Sequence, residues 1–145
     1  MKYSDLLGEW LVELGYTHCF FVAGGGIMHL LDGVRSRFEC IPVVHEVSAG
    51  ICAEHFNQCA HSGQHAFALV TTGPGLTNIV TAVAGCYVEH RELLVIAGQV
   101  KSTDLLSYPE RQRGVQEVDG SAICGPISVR SECLRTPVSR SKFMS

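Results

Sequence analysis

Residues 41–56, IPVVHEVSAGICAEHF, carry an apolar segment straight into a glutamate, Glu46, and then into small residues with helical spacing. A carboxyl at the end of an apolar strand is desolvated. Burial penalises the charged form of such a group and suits it to share a proton with a partner. Two glycine turns accompany it, Gly24-Gly25-Gly26 after THCFFV and Gly73-Pro74-Gly75 after HAFALVTT. Bare backbone at such turns lets a ligand approach closely. Taken singly, each turn is an ordinary turn and the glutamate an ordinary cap.

Two familiar chemistries are tested by spacing. His45-Glu46 opens like the zinc motif H-E-x-x-H, but the second histidine would fall on Ala49. The pairs His61/His65 and Cys86/His90 have i,i+4 spacing without a third ligand nearby in the chain, and read as packed or solvated side chains. A dinucleotide site fits better. The first glycine turn follows a strand and opens a helix, and Glu46 lies 22 residues after Gly24, where a ribose-binding acid would stand. The turn nevertheless reads G-x-G-x-x-H, with His29 in place of the third glycine, and this reading leaves the second turn unexplained.

The elements that must hold these residues alternate. Leu6, Leu7, Trp10, Leu11 and Leu14 space a helix over 3–14 that stops at Gly15, and Ile27, Leu30, Leu31 and Val34 space a second. Apolar runs at 17–22, 40–45, 65–72 and 92–98 read as strands, with helices over 47–60 and from Gly73-Pro74-Gly75 onward. Fully apolar strands separated by helices predict an α/β fold, a parallel sheet with helices on both faces in three layers. Ligands of such sheets bind beyond the carboxyl ends of the strands, so the two glycine turns and Glu46 should converge on one edge. Residues 102–145 read as a loop, a short helix and an extended segment, with another helix starting at Ser139. The chain thus reads as one domain, 1–145, cut before its last strand, with 131–145 an extended or disordered tail.

Composition narrows the classes. At 145 residues, 46% apolar and 17% charged, the chain supports one real core and a surface partly covered by a partner. A formal charge of −3 with scattered lysines and arginines gives no case for nucleic acid or an anionic membrane, and no run of 18 apolar residues exists. The N-terminal stretch, with Asp5, Glu9 and Glu13 among its apolar positions, is an amphipathic helix rather than a signal peptide. A cytoplasmic location and reduced thiols are therefore expected for the seven cysteines, none of which forms a C-x-x-C pair.

The ordered segments FFVAGGGIMHLLD, HE with its small-residue helix, ALVTTGPGLTNIVTAVAG, LLVIAGQV and RQRGVQEVD closely resemble the N-terminal pyrimidine-binding domain of thiamine-diphosphate enzymes. Among these, the acetolactate synthase large subunit and its relatives are nearest. The resemblance covers roughly residues 3–130. It implies that Glu46 hydrogen-bonds N1′ of the cofactor's aminopyrimidine, where the shared proton lets the 4′-nitrogen take the proton from the thiazolium C2. It implies too that Ala23, Gly24 and Gly25 pass near the cofactor and that Thr71, Pro74 and Asn78 line the pyrimidine pocket. Gln116 matches a glutamine that reaches the active site, often across a subunit boundary. The implied enzyme cleaves or joins carbon–carbon bonds next to a carbonyl, with a small 2-oxo acid as substrate and homodimers formed through these domains.

The chain departs from the pattern at Ala23, where proline is usual, at Val47, where glutamine is usual, and at Val115, where an aromatic commonly precedes the glutamine. The last alters a pocket wall, so another 2-oxo acid or an acyl donor fits as well as the acetolactate reaction. The diphosphate and its Mg²⁺ are held in this family by a separate domain bearing G-D-G, which is absent here; VDG at 118–120 comes nearest. The missing half is expected from the same longer chain or another subunit, and the isolated domain is expected to be inactive. A Rossmann-like dinucleotide domain and a non-catalytic assembly domain of the same fold are the alternatives.

Overall fold

The computed structural model describes residues 2–61, 63–105 and 111–145. Helix α1 (Tyr3–Glu13) leads into β1 (Tyr16–Phe21), a single 3-10 turn (Gly25–Ile27) and α2 (Met28–Val34). Then follow β2 (Glu39–Pro42), α3 (Glu46–Cys59), β3 (His65–Val70), α4 (Pro74–Glu89) and β4 (Leu94–Ala97). Farther along come α5 (Gly120–Cys124), a 3-10 turn (Gly125–Ile127) and α6 (Arg140–Met144). Residues 106–110, within the expected loop, lie outside the described residues.

All three strand pairings are parallel, in the order β2-β1-β3-β4. The fold is the three-layer α/β arrangement that the apolar runs predict, because strict alternation lets one strand feed two cores. Along β3, Ala66, Ala68 and Val70 join Phe20, Ala49, Ala53, Ile79 and Ala82 under α3 and α4. Phe67 and Leu69 point the other way, to Leu11, Cys19, Ile27, Val34 and Phe38 under α1 and α2. Each large side chain fully buried here, Phe67 foremost, contributes roughly 2–3 kcal/mol of transfer free energy.

One expected boundary moves in a way that matters. The run 40–45 was expected to be a strand ending on Glu46, but β2 stops at Pro42 and Glu46 is the first residue of α3. Val43 N donates one last bond to Phe21 O at 2.9 Å, so the Pro42 nitrogen faces away from the sheet, where the lack of an N–H costs nothing. The chain then stays extended through His45, whose Nδ1 accepts from Val47 N at 3.2 Å and caps the helix. Glu46 therefore sits in the first turn of a helix rather than at a strand end.

Two further contacts join neighbouring elements. Glu54 of α3, buried, is bonded by the Arg91 guanidinium just past α4 and by Gln58. At the end of the chain, residues 131–139 run without regular structure and Ser139 caps α6. That helix rests on α1 through Phe143 against Trp10, ring centroids 5.3 Å apart, and an Arg140–Glu13 ion pair. All seven cysteines are free thiols.

Candidate functional site at the carboxyl edge of the sheet

The chain leaves β1 toward one side to build β2 and leaves β3 toward the other to build β4. The turns that follow β1 and β3 thus open a crevice between them, the place where doubly wound sheets bind ligands. Both glycine turns fall here. Thr71, just past β3, stands between them. A Cβ on Gly24 would lie 2.5 Å from Thr71 Cβ, and one on Gly75 would lie 2.7 Å from Thr71 Cγ2, so only glycine fits at either position. Thr71 Oγ1 accepts from Gly26 N at 3.2 Å, which fixes the first turn against β3.

On the α3 side of Thr71 sits Glu46, only 8% exposed. Its Oε2 accepts from Asn78 Nδ2 at 2.9 Å. Its Oε1 lies 3.5 Å from where a Gly75 Cβ would stand and has no donor among the described residues. One carboxyl oxygen is thus held by an amide while the other is left without a donor among the described residues. On the opposite side of Thr71 opens a cleft of about 440 Å³, lined by Gly24–Gly26, Thr71, Thr72, Gln99, Val100, Asp104 and Gly114–Gln116.

The far wall of that cleft is made by the chain folding back after β4. Gln99 Nε2 donates to Val118 O at 2.9 Å and its Oε1 accepts from Val100 N, which pins the two ends of the excursion together. Gln116 is held in the left-handed region, φ 57°, with its carbonyl oxygen 2.2 Å from the Cβ position of Gly73, itself at φ 59°. The glutamine of a chain thereby reaches that chain's own glycine turns.

Of the residues singled out from sequence, Gly24, Gly25, Thr71 and Gln116 line the cleft, and Glu46 and Asn78 form a bonded pair across Gly75. Ala23 and Pro74 lie in the same two turns but are exposed and do not line the cleft. Gly26 of the first glycine turn and Val115, one of the positions that depart from the resembled pattern, also line the cleft. Thr72, Gln99, Val100, Asp104 and Gly114 complete the lining and carry no local signal in the sequence. His29, which broke the dinucleotide pattern, is exposed on α2. No cluster of three His, Cys, Asp or Glu side chains able to hold a metal occurs among the described residues. No described helix is long and apolar enough to cross a membrane.

The chain is 34% identical over 126 residues to the acetolactate synthase large subunit of Buchnera aphidicola (from Acyrthosiphon pisum), covering 86% of this chain and 21% of that one. It is 34% identical over 128 residues to the acetolactate synthase large subunit of Lactococcus lactis, with 86% and 21% covered. To sulfoacetaldehyde acetyltransferase of Rhodobacter capsulatus it is 33% identical over 142 residues, 94% of this chain and 22% of that one. It therefore spans about a fifth of the length of these relatives. Residues 1–123 match the family described as thiamine pyrophosphate enzyme, N-terminal TPP binding domain, and the chain belongs to that family.

Proposed function

We propose that this chain supplies the pyrimidine-facing half of a thiamine-diphosphate site, with Glu46 as the group that activates the cofactor. The observation that carries the reading is the Glu46 carboxyl: buried, held by Asn78 on one oxygen, open on the other, and linked through Gly75 and Thr71 to the glycine cleft. When bound, thiamine diphosphate supplies the electron sink that lets a bond next to a carbonyl break or form. Glu46 Oε1 holds the proton shared with the aminopyrimidine N1′, and Asn78 keeps the carboxyl from rotating away. Thr71 and the glycines keep the crevice narrow and free of side chains, and Gln116 offers an amide to a polar substrate.

The substrate class that fits is a small 2-oxo acid, decarboxylated and its acyl fragment passed on. Val115, 83% exposed on the cleft wall, leaves room for an acceptor that a larger side chain would exclude. The diphosphate and Mg²⁺ fall to a separate domain, from the same longer chain or another subunit, and the isolated domain is inactive. A homodimer through these domains suits the apolar side chains exposed around α3, Val44 and Ile51. Free thiols suit a cytoplasmic setting.

The test is Glu46→Gln in the complete enzyme, followed by exchange of the thiazolium C2 proton into deuterated water by NMR. Glutamine is isosteric but cannot supply the proton, and general acid–base catalysis is worth roughly 10²–10⁴-fold, so exchange should fall by that factor. Exchange at the wild-type rate would overturn the assignment.

A further inference from the structure

Gln116 stands at the third position of a β-turn that Glu117 N closes by donating to Gly114 O at 3.3 Å. Its φ of 57° lies in the left-handed region, where such a turn normally takes glycine or asparagine. A glutamine kept there is strained, and the surrounding structure must hold it. Glycine would relax the turn but would leave the cleft wall without an amide. The hold is visible at Glu117. Its Oε2 accepts from Arg113 N at 2.9 Å and from Gly114 N at 3.0 Å, so Gly114 is bonded to Glu117 through both its N–H and its carbonyl. The turn is also seated at both ends. Gly114 is buried, with its Cβ position 2.4 Å from Val100 Cγ1, and the Gln116 carbonyl rests on Gly73. Gln116 lines the cleft between these supports, whereas Glu117 is half-buried and outside the cleft lining.

From this geometry we infer that Glu117 is a positioning residue for the substrate: its carboxyl clamps the Arg113–Glu117 turn, and the turn holds the Gln116 amide on the cleft wall. The substrate class is that of the proposed function, so the inference rests on that reading. Glu117 acts on the substrate only through Gln116. Without the two bonds to its carboxyl, Gln116 can return to negative φ, the region a glutamine prefers, and its side chain leaves the wall.

The experiment uses the complete enzyme with thiamine diphosphate and Mg²⁺, and pyruvate and 2-oxobutyrate as the small 2-oxo acids. Glu117→Ala should raise KM for the better of the two about tenfold, the worth of one hydrogen bond, with kcat changed far less. Both clamping bonds meet on one oxygen, so Glu117→Gln, whose amide oxygen can accept the same pair, should keep KM near the wild-type value. In a Gln116→Gly background, which relaxes the turn and removes the amide, Glu117→Ala should add no further rise. A second tenfold rise there would overturn the inference, because Glu117 would then act by another route. So would a wild-type KM in Glu117→Ala, failure of that variant to fold, or a rise in Glu117→Gln as large as in Glu117→Ala. Each of these outcomes leaves the cofactor reading standing. A wild type that does not exchange the thiazolium C2 proton overturns that reading and the inference together. One that exchanges it but turns over neither acid overturns the substrate class, and the inference with it.

Discussion

Asn78 is exposed on α4, yet its amide is the one donor to the buried Glu46 carboxyl among the described residues. The pair has a consequence that separates stability from chemistry. Asn78→Ala leaves space that water fills, so unfolding should shift by only about 1 kcal/mol. The carboxyl, freed to rotate, should slow C2 proton exchange about tenfold, since small displacements of a proton-transfer group are costly. Chemical denaturation and NMR exchange on one sample check both halves, and a large stability loss with unchanged exchange would make Asn78 structural. At this scale the sequence was informative where residue type alone limits the role. Glu46 and the two glycine turns were legible because a carboxyl among apolar residues and glycines after strands are unusual locally. Thr72 was not, since a threonine at a strand end is common and only the folded chain brings Gly26 against it.

Between elements, the Glu54–Arg91 contact joins the middle of α3 to the end of α4. Arg91 holds the Glu54 carboxyl below its ordinary value near 4.5. A carboxyl depressed in the folded state stabilises the fold above its unfolded value and loses that contribution as pH falls through the folded value. Stability should therefore decline from pH 5 downward more steeply in the wild type than in Glu54→Gln, which cannot titrate. Thermal unfolding at half-unit steps from pH 6 to 3 measures this, and parallel curves would exclude Glu54 as a source of acid sensitivity. Glu54→Gln should also cost about 1–2 kcal/mol at pH 7, because the charge-assisted bond is weakened. Strands and helices were readable at this scale because apolar runs and 3.6-residue spacing survive any tertiary context. Two things were not. The end of β2 depends on His45 acting as a helix cap, which histidine seldom signals. The wall segments within 99–105 and 111–118 have no periodicity of their own, so their return to the glycine turns could only be seen in three dimensions.

For the molecule as a whole, the carboxyl edge of the sheet gathers the buried Glu46 carboxyl, a cleft and a glutamine, but no site for a metal among the described residues. If the proposed half-site is right, the working particle includes both a second copy and the diphosphate-binding half. Its native mass, measured by light scattering on material from its source, should exceed twice the 15.7 kDa of this chain. A particle of 15.7 kDa that still exchanges the C2 proton would overturn the half-site reading.

Every strand pair in the sheet is parallel, and the central pair, β1 with β3, brings Cys19 beside Phe67. No two strands can therefore meet through a short hairpin, and each pairing must wait for a crossover to close. The glycine turns follow the two strands of that central pair, so the crevice forms only once the join between β1 and β3 has closed. Joins of that length cost more chain entropy than a lone helix, so folding should be slower than that of a helical bundle of the same size. The place for a ligand should therefore appear only with the folded sheet, not before it.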